Sequence, residues 1–580
     1  MKKKLALILI AALLLSLVSA CGSSAASSAA PASDTPAEET EASAPAEEAA
    51  PAEEAPAAPA AEEAEASAEA SAAEPAEAEP IVIEYPLVDE PTTITYWHNL
   101  ATNTVIDPDD YDNLIVLQEQ EKITGVHCEN VCVSEDAESE KFSLMIAAGD
   151  YCDLIEHFVS HYTGGGVAGI EDGIIVDLMD YQEYMPNYMA LINEETEKDL
   201  KNDEGQMATF YSLYNEPTTE PSNGLVMRKD WLDELGLDVP ETYDELDSVL
   251  HAFQDAYGSQ QTVYMVESGV FEGNTLISGY GVAGYLNTQG SNQVAPFYQE
   301  DGVVKYGLVE DGFMEYIKMM NSWYNDGIIS SDFVNASGNP GDSQFQSAVA
   351  NDQVGLFNCA YFMLDGIASN AIDEDFALIG ISDIGKEKDQ EFPIGFRPTY
   401  NGEQGSSVCA ESDNIELAVS WADYWYSWDG GVLKTFGIEG ESFEYDENGQ
   451  PQYTDLITDN PDGLTYMEAT QLYGFAITGL FFDTQAMAAP DYALEARTAW
   501  AKGKTAEGEI GSISMTVDET DAYTAVWSDI LTYSAESINK FITGEMTEDD
   551  FPAFKDKLYE LGLQTCLDIK QAALDRYNAR

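Results

Sequence analysis

Basic side chains are scarce in this 580-residue chain. Lys and Arg number 24 against 106 Asp and Glu, with five His, so the formal net charge is −82. A surface of that sign repels phosphate backbones and anionic headgroups, which makes nucleic acid and anionic lipid poor partners. Repulsion of acidic polysaccharides would follow only if a binding cleft shared the sign. Cysteine is sparse as well: seven in all, with no CxxC pair. Cys128 and Cys132 stand four apart along one strand-like run, a poor geometry for a bridge. The six thiols after Cys21 therefore read as small buried hydrophobes rather than a zinc site or a disulfide framework. Enzyme signatures are missing: no GxSxG, HExxH or P-loop lysine motif occurs. Gly164-x-Gly166-x-x-Gly169 matches a dinucleotide fingerprint in letters, but with no clear helix start its glycines read as turn residues. After the leader, no run reaches the ~18 apolar residues of a membrane helix. Aromatics, by contrast, make up 11% of the chain, too many for a disordered acidic protein.

The first twenty residues form an address. Met1-Lys2-Lys3-Lys4 is a basic flank and Leu5 to Val18 an apolar stretch too short to span a bilayer comfortably. Val18-Ser19-Ala20-Cys21-Gly22 resembles a bacterial lipobox, which implies cleavage before Cys21 and acylation of its thiol and new amino group. Two or three acyl chains would hold the chain firmly where one would not. Residues 21–80 then read as a tether. From Gly22 to Pro80 there are fifteen acidic residues, no Lys or Arg and no aromatic, so the segment cannot bury enough surface to fold. Proline and charge repulsion extend it, to at most roughly 200 Å at ~3.3 Å per residue.

From residue 81 onward strands and helices alternate. Thr92 to Trp97 is an opening strand, Leu114 to Lys122 a helix, Val126 to Val133 a strand, Glu138 to Ala148 an amphipathic helix, and Asp153 to Phe158 a third strand. That order argues a parallel α/β lobe. Leu225-Val226-Met227 reads as a buried strand. Trp231, Leu232 and Leu235 share one helical face, Gly236 stops the helix, and Thr242-x-x-Glu245 is a capping box for the next.

The segment Leu225–Leu246 resembles the "RKDWLDKLGL" step of sugar-type extracellular solute-binding proteins. Thr124-Gly125-Val126 followed by Phe142 to Ile155 resembles the "TGV…FNLMIASGDYPDII" run of that family, with Cys152 where proline is usual. Ser331-Asp332-Phe333, Phe436 to Phe443, and Gln571 to Tyr577 continue the match in order. The resemblance covers nearly all of residues 81–580. It implies a type 2 periplasmic binding protein fold, α/β, with two lobes joined by hinge strands around a central cleft. The lobes are expected to interleave, the first mainly 81–215, the second mainly 216–360 plus the C-terminal helices. It further implies an ABC-importer lipoprotein on the outer face of the cytoplasmic membrane. Such a protein would act as a monomer without cofactor, delivering a sugar or oligosaccharide to permease subunits and performing no chemistry.

In open α/β lobes, ligands bind beyond the carboxyl ends of the strands. Sugars ask there for aromatic faces against C–H patches and for planar polar groups against hydroxyls. The candidates are Trp97, His98, Asn99 and Asn103 after the first strand, and Glu156 and His157 after the third. Arg228 ends the strand of the opening motif, and Tyr361 and Phe362 end the strand from Val354. Tyr280 and Arg397 stand on glycine- and proline-rich loops, with Tyr400 beside them. Trp97 reads equally as core, and Arg228 equally as a salt bridge across the hinge. Glu156, His157 and His161 offer metal-ligand chemistry as a lesser alternative. A surface glycoside hydrolase or lyase remains the competing function. Its paired carboxylates are uninformative here, because 91 acidic residues after residue 80 always supply some pair. A receptor for peptides or other solutes on the same fold is the other alternative.

Overall fold

Alternation along Thr92–Leu100 puts Ile94, Tyr96 and Leu100 on one face and Trp97 on the other, and both faces are buried in separate apolar cores. Burial on both faces is what a strand inside a covered sheet requires. In the computed structural model that strand lies in a six-stranded sheet. The order is Leu480–Phe481, Phe210–Thr218, Thr399–Val408, Leu154–Glu156, Thr92–Leu100, Val126–Ser134. The last three run parallel; Thr399–Val408 is antiparallel to Leu154–Glu156 and to Phe210–Thr218. The structure describes residues 83–100, 104–218, 220–267, 269–286, 295–337, 343–396 and 399–580. The leader, Cys21, the tether, Asn103 and Arg397 lie outside the described residues, as does the side chain of Tyr400.

A second, antiparallel sheet runs Leu356–Ala360, Asn223–Arg228, Leu378–Ile381. Register shows how the two sheets connect. Phe210 pairs with Ser406, and Ser406 with Glu156, so Phe210–Thr218 begins where Leu154–Glu156 ends and runs on past it. It leads directly into Asn223–Arg228. The chain returns from Leu378–Ile381 to Thr399–Val408, and leaves the first sheet a last time after Leu480–Phe481. That last exit delivers helix Asp491–Ala501 onto the second sheet, where Ala493, Ala496 and Trp500 join its core. Two glycines permit the approach: a Cβ on Gly224 would lie 2.3 Å from Trp500 Cγ, and one on Gly380 2.3 Å from Ala496 Cβ. Trp500 Nε1 donates to Leu225 O at 2.8 Å, which fixes the helix along the strand.

The rest of the second lobe is a larger core around helices Tyr243–Tyr257, Asp311–Asn325 and Val517–Thr543, closed by Phe551–Leu561 and Leu563–Ala579. A second set of contacts ties the lobes away from the hinge strands. Arg576 Nε and Arg580 Nη2 each reach Asp203 at 2.6 Å, and Tyr577 Oη donates to Asp199 at 2.6 Å.

Local signals behaved as expected where they were local. Helix Glu138–Ala148 stops at left-handed Gly149 and helix Lys229–Leu235 at left-handed Gly236. The box at Thr242 is only half made: Thr242 accepts from Glu245 N–H, while the Glu245 carboxylate turns to Glu241 N–H. The third strand is shorter than expected, Leu154–Glu156, because His157 adopts φ 57° and Phe158 opens a helix. Gly164–Gly169 does enter a short helix, Gly165–Glu171, and its glycines serve packing. A Cβ on Gly166 would meet Ala208, and one on Gly169 would meet Phe158. All six described cysteines are free, four of them buried.

Candidate functional site

The parallel strands Thr92–Leu100 and Leu154–Glu156 end side by side, and their last residues form one hydrogen-bonded cluster. Glu156 is buried and accepts from the Asn99 backbone N–H at 2.8 Å. His98 Nδ1 lies 2.9 Å from the same Glu156 oxygen, too poorly aligned for a good hydrogen bond. His98 Nε2 is 2.6 Å from Tyr111 Oη. Burial alone would raise the Glu156 carboxyl; His98, then His157 and the Asn99 N–H, outweigh it and hold the group below its ordinary value.

The neighbouring histidines turn away from this cluster. His157 Nδ1 is 2.8 Å from Glu138 Oε1, and His161 Nε2 is 3.7 Å from Glu138 Oε2. Burial opposes the charge on His157, but Glu138 and then Glu156 overcome it and raise its pKa. Glu156, His157 and His161 therefore do not converge, and among the described residues no metal-holding group of His, Cys, Asp or Glu forms.

Two cavities lie beyond these strand ends. One, about 340 Å³, follows Leu154–Glu156 through Val159 and Gly164–Val167 and is closed by Ser512–Met515. The other, about 270 Å³, takes in His98, Asn99, Leu100 and Tyr111. Its far wall comes from distant sequence: Lys434, Thr435, Tyr453, Gln471, Phe475, Phe481 and Phe482. Lys434 stands in the last turn of helix Trp428–Phe436, and Phe481 ends the short strand at the third crossing. This wall was not foreseen in the sequence. Its one signal was a lone lysine next to the apolar pair Val432-Leu433 and close to Phe436.

The remaining expected site residues are placed elsewhere. Trp97 is 3% exposed and packs edge-on against Phe142 at 5.9 Å, so it is core and offers no ring face to a ligand. Arg228 is fully buried. It forks onto Asp230 at 2.8 and 2.5 Å, reaches Asp352 at 2.7 Å, and lies between the rings of Trp231 and Phe376. It is a structural cation within the second lobe, not a bridge across the hinge. Tyr361 is buried, donates to Asp483 at 2.6 Å and lies under the Arg497 guanidinium. Phe362 is 42% exposed. Tyr280 stacks on Tyr243 at 4.4 Å, with Lys386 Nζ over its ring. The structure thus brings His98, Asn99 and Glu156 together, with His157 adjoining, while Arg228, Tyr280, Tyr361 and Phe362 line neither cavity.

Two lobes, three strand crossings and cavities at the carboxyl ends of parallel strands suit capture of a small solute. Comparison with known proteins agrees. The family model for bacterial extracellular solute-binding proteins matches residues 106–432, more than half of the chain. The fructooligosaccharide ABC transporter substrate-binding protein FusA of Streptococcus pneumoniae is 22% identical over 86% of this chain and 92% of its own. Its kestose complex superposes with a TM-score of 0.64 at 20% identity, covering 84% of this chain and 99% of that one. An HMO-binding, ABC-transporter-associated solute-binding protein from Bifidobacterium longum infantis gives 0.69 at 19% identity, covering 84% and 99%. The hinged α/β architecture and the span of the family match lead to one assignment: this chain belongs to the bacterial extracellular solute-binding proteins.

Proposed function

We propose that the chain captures a sugar or oligosaccharide at the strand-end cavities and passes it unaltered to the permease subunits of an ABC importer. The observation that carries this reading is the 270 Å³ cavity. It sets Tyr453, Phe481 and Phe482 in one lining with Asn99, Gln471 and Lys434. Rings for C–H faces next to directional donors are what saccharide binding requires. The relative named for fructooligosaccharides supports the same class of solute. Acylation at Cys21 would hold the protein on the outer face of the membrane, with residues 22–80 as a spacer.

The test is a thermal-shift screen of the full chain against mono- and oligosaccharides, with each hit analysed by chromatography. A ligand that binds only the folded state raises the melting temperature by mass action. Expected are hits among saccharides, each recovered intact. Shortened products would favour a glycoside hydrolase or lyase, and hits confined to peptides a receptor for another solute.

A further inference from the structure

Among the described residues four cations are nearly closed to water: Arg228 at 0%, Lys434 and Arg497 at 8%, and Lys504, whose side chain is 2% exposed and lies 3.0 Å from Asp383. Arg228 is paired with Asp230 and Asp352, and Arg497 with Asp483 at 3.0 Å. Lys434 alone of these has no carboxylate partner and no side-chain hydrogen bond among the described residues. Burial without a partner brings its pKa down to about 8. Its place in the last turn of a helix supplies only a partial negative charge from the carbonyl ends. Withdrawing an ammonium from water without a counter-charge costs stability, and a ligand that pairs with it would recover part of that cost.

Its surroundings are unusual for this chain. In a sequence with more than four acidic residues for every basic one, no Asp or Glu is among the described residues lining this cavity. Glu156 lies behind His98 and is occupied by His98 and the Asn99 N–H. Beside the threonine and tyrosine hydroxyls, which can donate or accept, the lining offers amide donors. Asn99 Nδ2 is buried without a partner. Gln471 spends its Oε1 on the Val105 N–H at 3.0 Å, which leaves its amide N–H groups. One ammonium and two amide donors on an aromatic wall match an anionic, planar acceptor carried on a sugar ring.

We propose that this cavity is a subsite for the carboxylate of an acidic sugar, with Lys434 as its ion-pair partner and Asn99 and Gln471 donating to its oxygens. The inference rests on the carbohydrate reading and narrows it to saccharides containing a uronic acid. Lys434 would give an acidic ligand a counter-charge at this point despite the chain's overall negative charge.

The experiment is calorimetric titration of the full chain with uronic-acid disaccharides of galacto, manno and gluco configuration and with their neutral counterparts. It is repeated on Lys434→Met, which keeps length and apolar bulk. At least one acidic disaccharide is expected to bind about tenfold or more tighter than its neutral counterpart, as suits a charge-assisted contact. Lys434→Met should abolish that preference and melt no lower than wild type, which separates lost contact from lost folding. Equal affinity for acidic and neutral members, or undiminished acidic binding in Lys434→Met, overturns the proposal. Binding by neutral members alone overturns it and leaves the carbohydrate reading standing. Binding by no saccharide in this set or in the wider screen overturns both.

Discussion

Arg228 and Lys434 are cations removed from water to a similar degree, one at the end of a strand in the second lobe, the other at the end of a helix beside the first. Arg228 is enclosed by two carboxylates and two rings, and although burial opposes its charge, Asp230 and Asp352 raise its pKa. Lys434 borders open space and has nothing to oppose burial, so its pKa falls. Burial therefore does not tell a structural cation from one kept for a ligand. What tells them apart is whether its donors are already engaged, and only coordinates reveal that.

Substitutions should separate the two with opposite signs. Arg228→Met strands Asp230 and Asp352 and should destabilise the fold by about 3–5 kcal/mol in denaturant unfolding. Lys434→Met removes an unpaired charge and should stabilise it by about 1–3 kcal/mol. A loss in the second variant would place Lys434 with Arg228 as a structural group.

Titration sharpens the same contrast. The unfolded chain keeps the Lys434 proton up to its ordinary value of 10.5, whereas the folded chain releases it near 8. Between those values the unfolded state binds more protons, so wild-type stability relative to Lys434→Met should rise with pH across that window. Below pH 8 the deficit is fully present. Arg228→Met should show no such feature there, since an arginine stays protonated throughout. Tyr111 and Tyr453 share the cavity and His98 lies beside it, so the difference between wild type and Lys434→Met, not the raw curve, is the quantity to read. The smallest effect concerns a second-lobe candidate: Tyr361→Phe removes one hydrogen bond to Asp483 and should cost about 1–2 kcal/mol of stability. Saccharide affinity should be unchanged, because the Tyr361 ring is covered.

Much of the architecture was legible because its signals are local. The opening strand at Thr92 and the glycine stop after Leu235 each depend on a few neighbouring residues. Part of the candidate site followed from the same reasoning: the ends of the first and third strands gave His98, Asn99 and Glu156, which do meet. Trp97 misled because alternation assigns it a face without saying what covers that face. Helix Glu138–Ala148 covers it through Phe142. The far wall was hidden for another reason. Lys434 and Phe481 lie more than three hundred residues from Asn99, and only the third crossing of the chain brings them alongside. Sequence order alone gives no register between segments so distant.

Equilibrium dialysis of the full chain against a mixed pool of neutral and acidic oligosaccharides, followed by chromatography of what stays with the protein and of what remains outside, tests capture without alteration most directly. The expected result is retention of at most one saccharide per chain, enriched in uronic acid and unchanged in length. A pool that loses long members and gains short ones, or a chain that retains no saccharide, would contradict it.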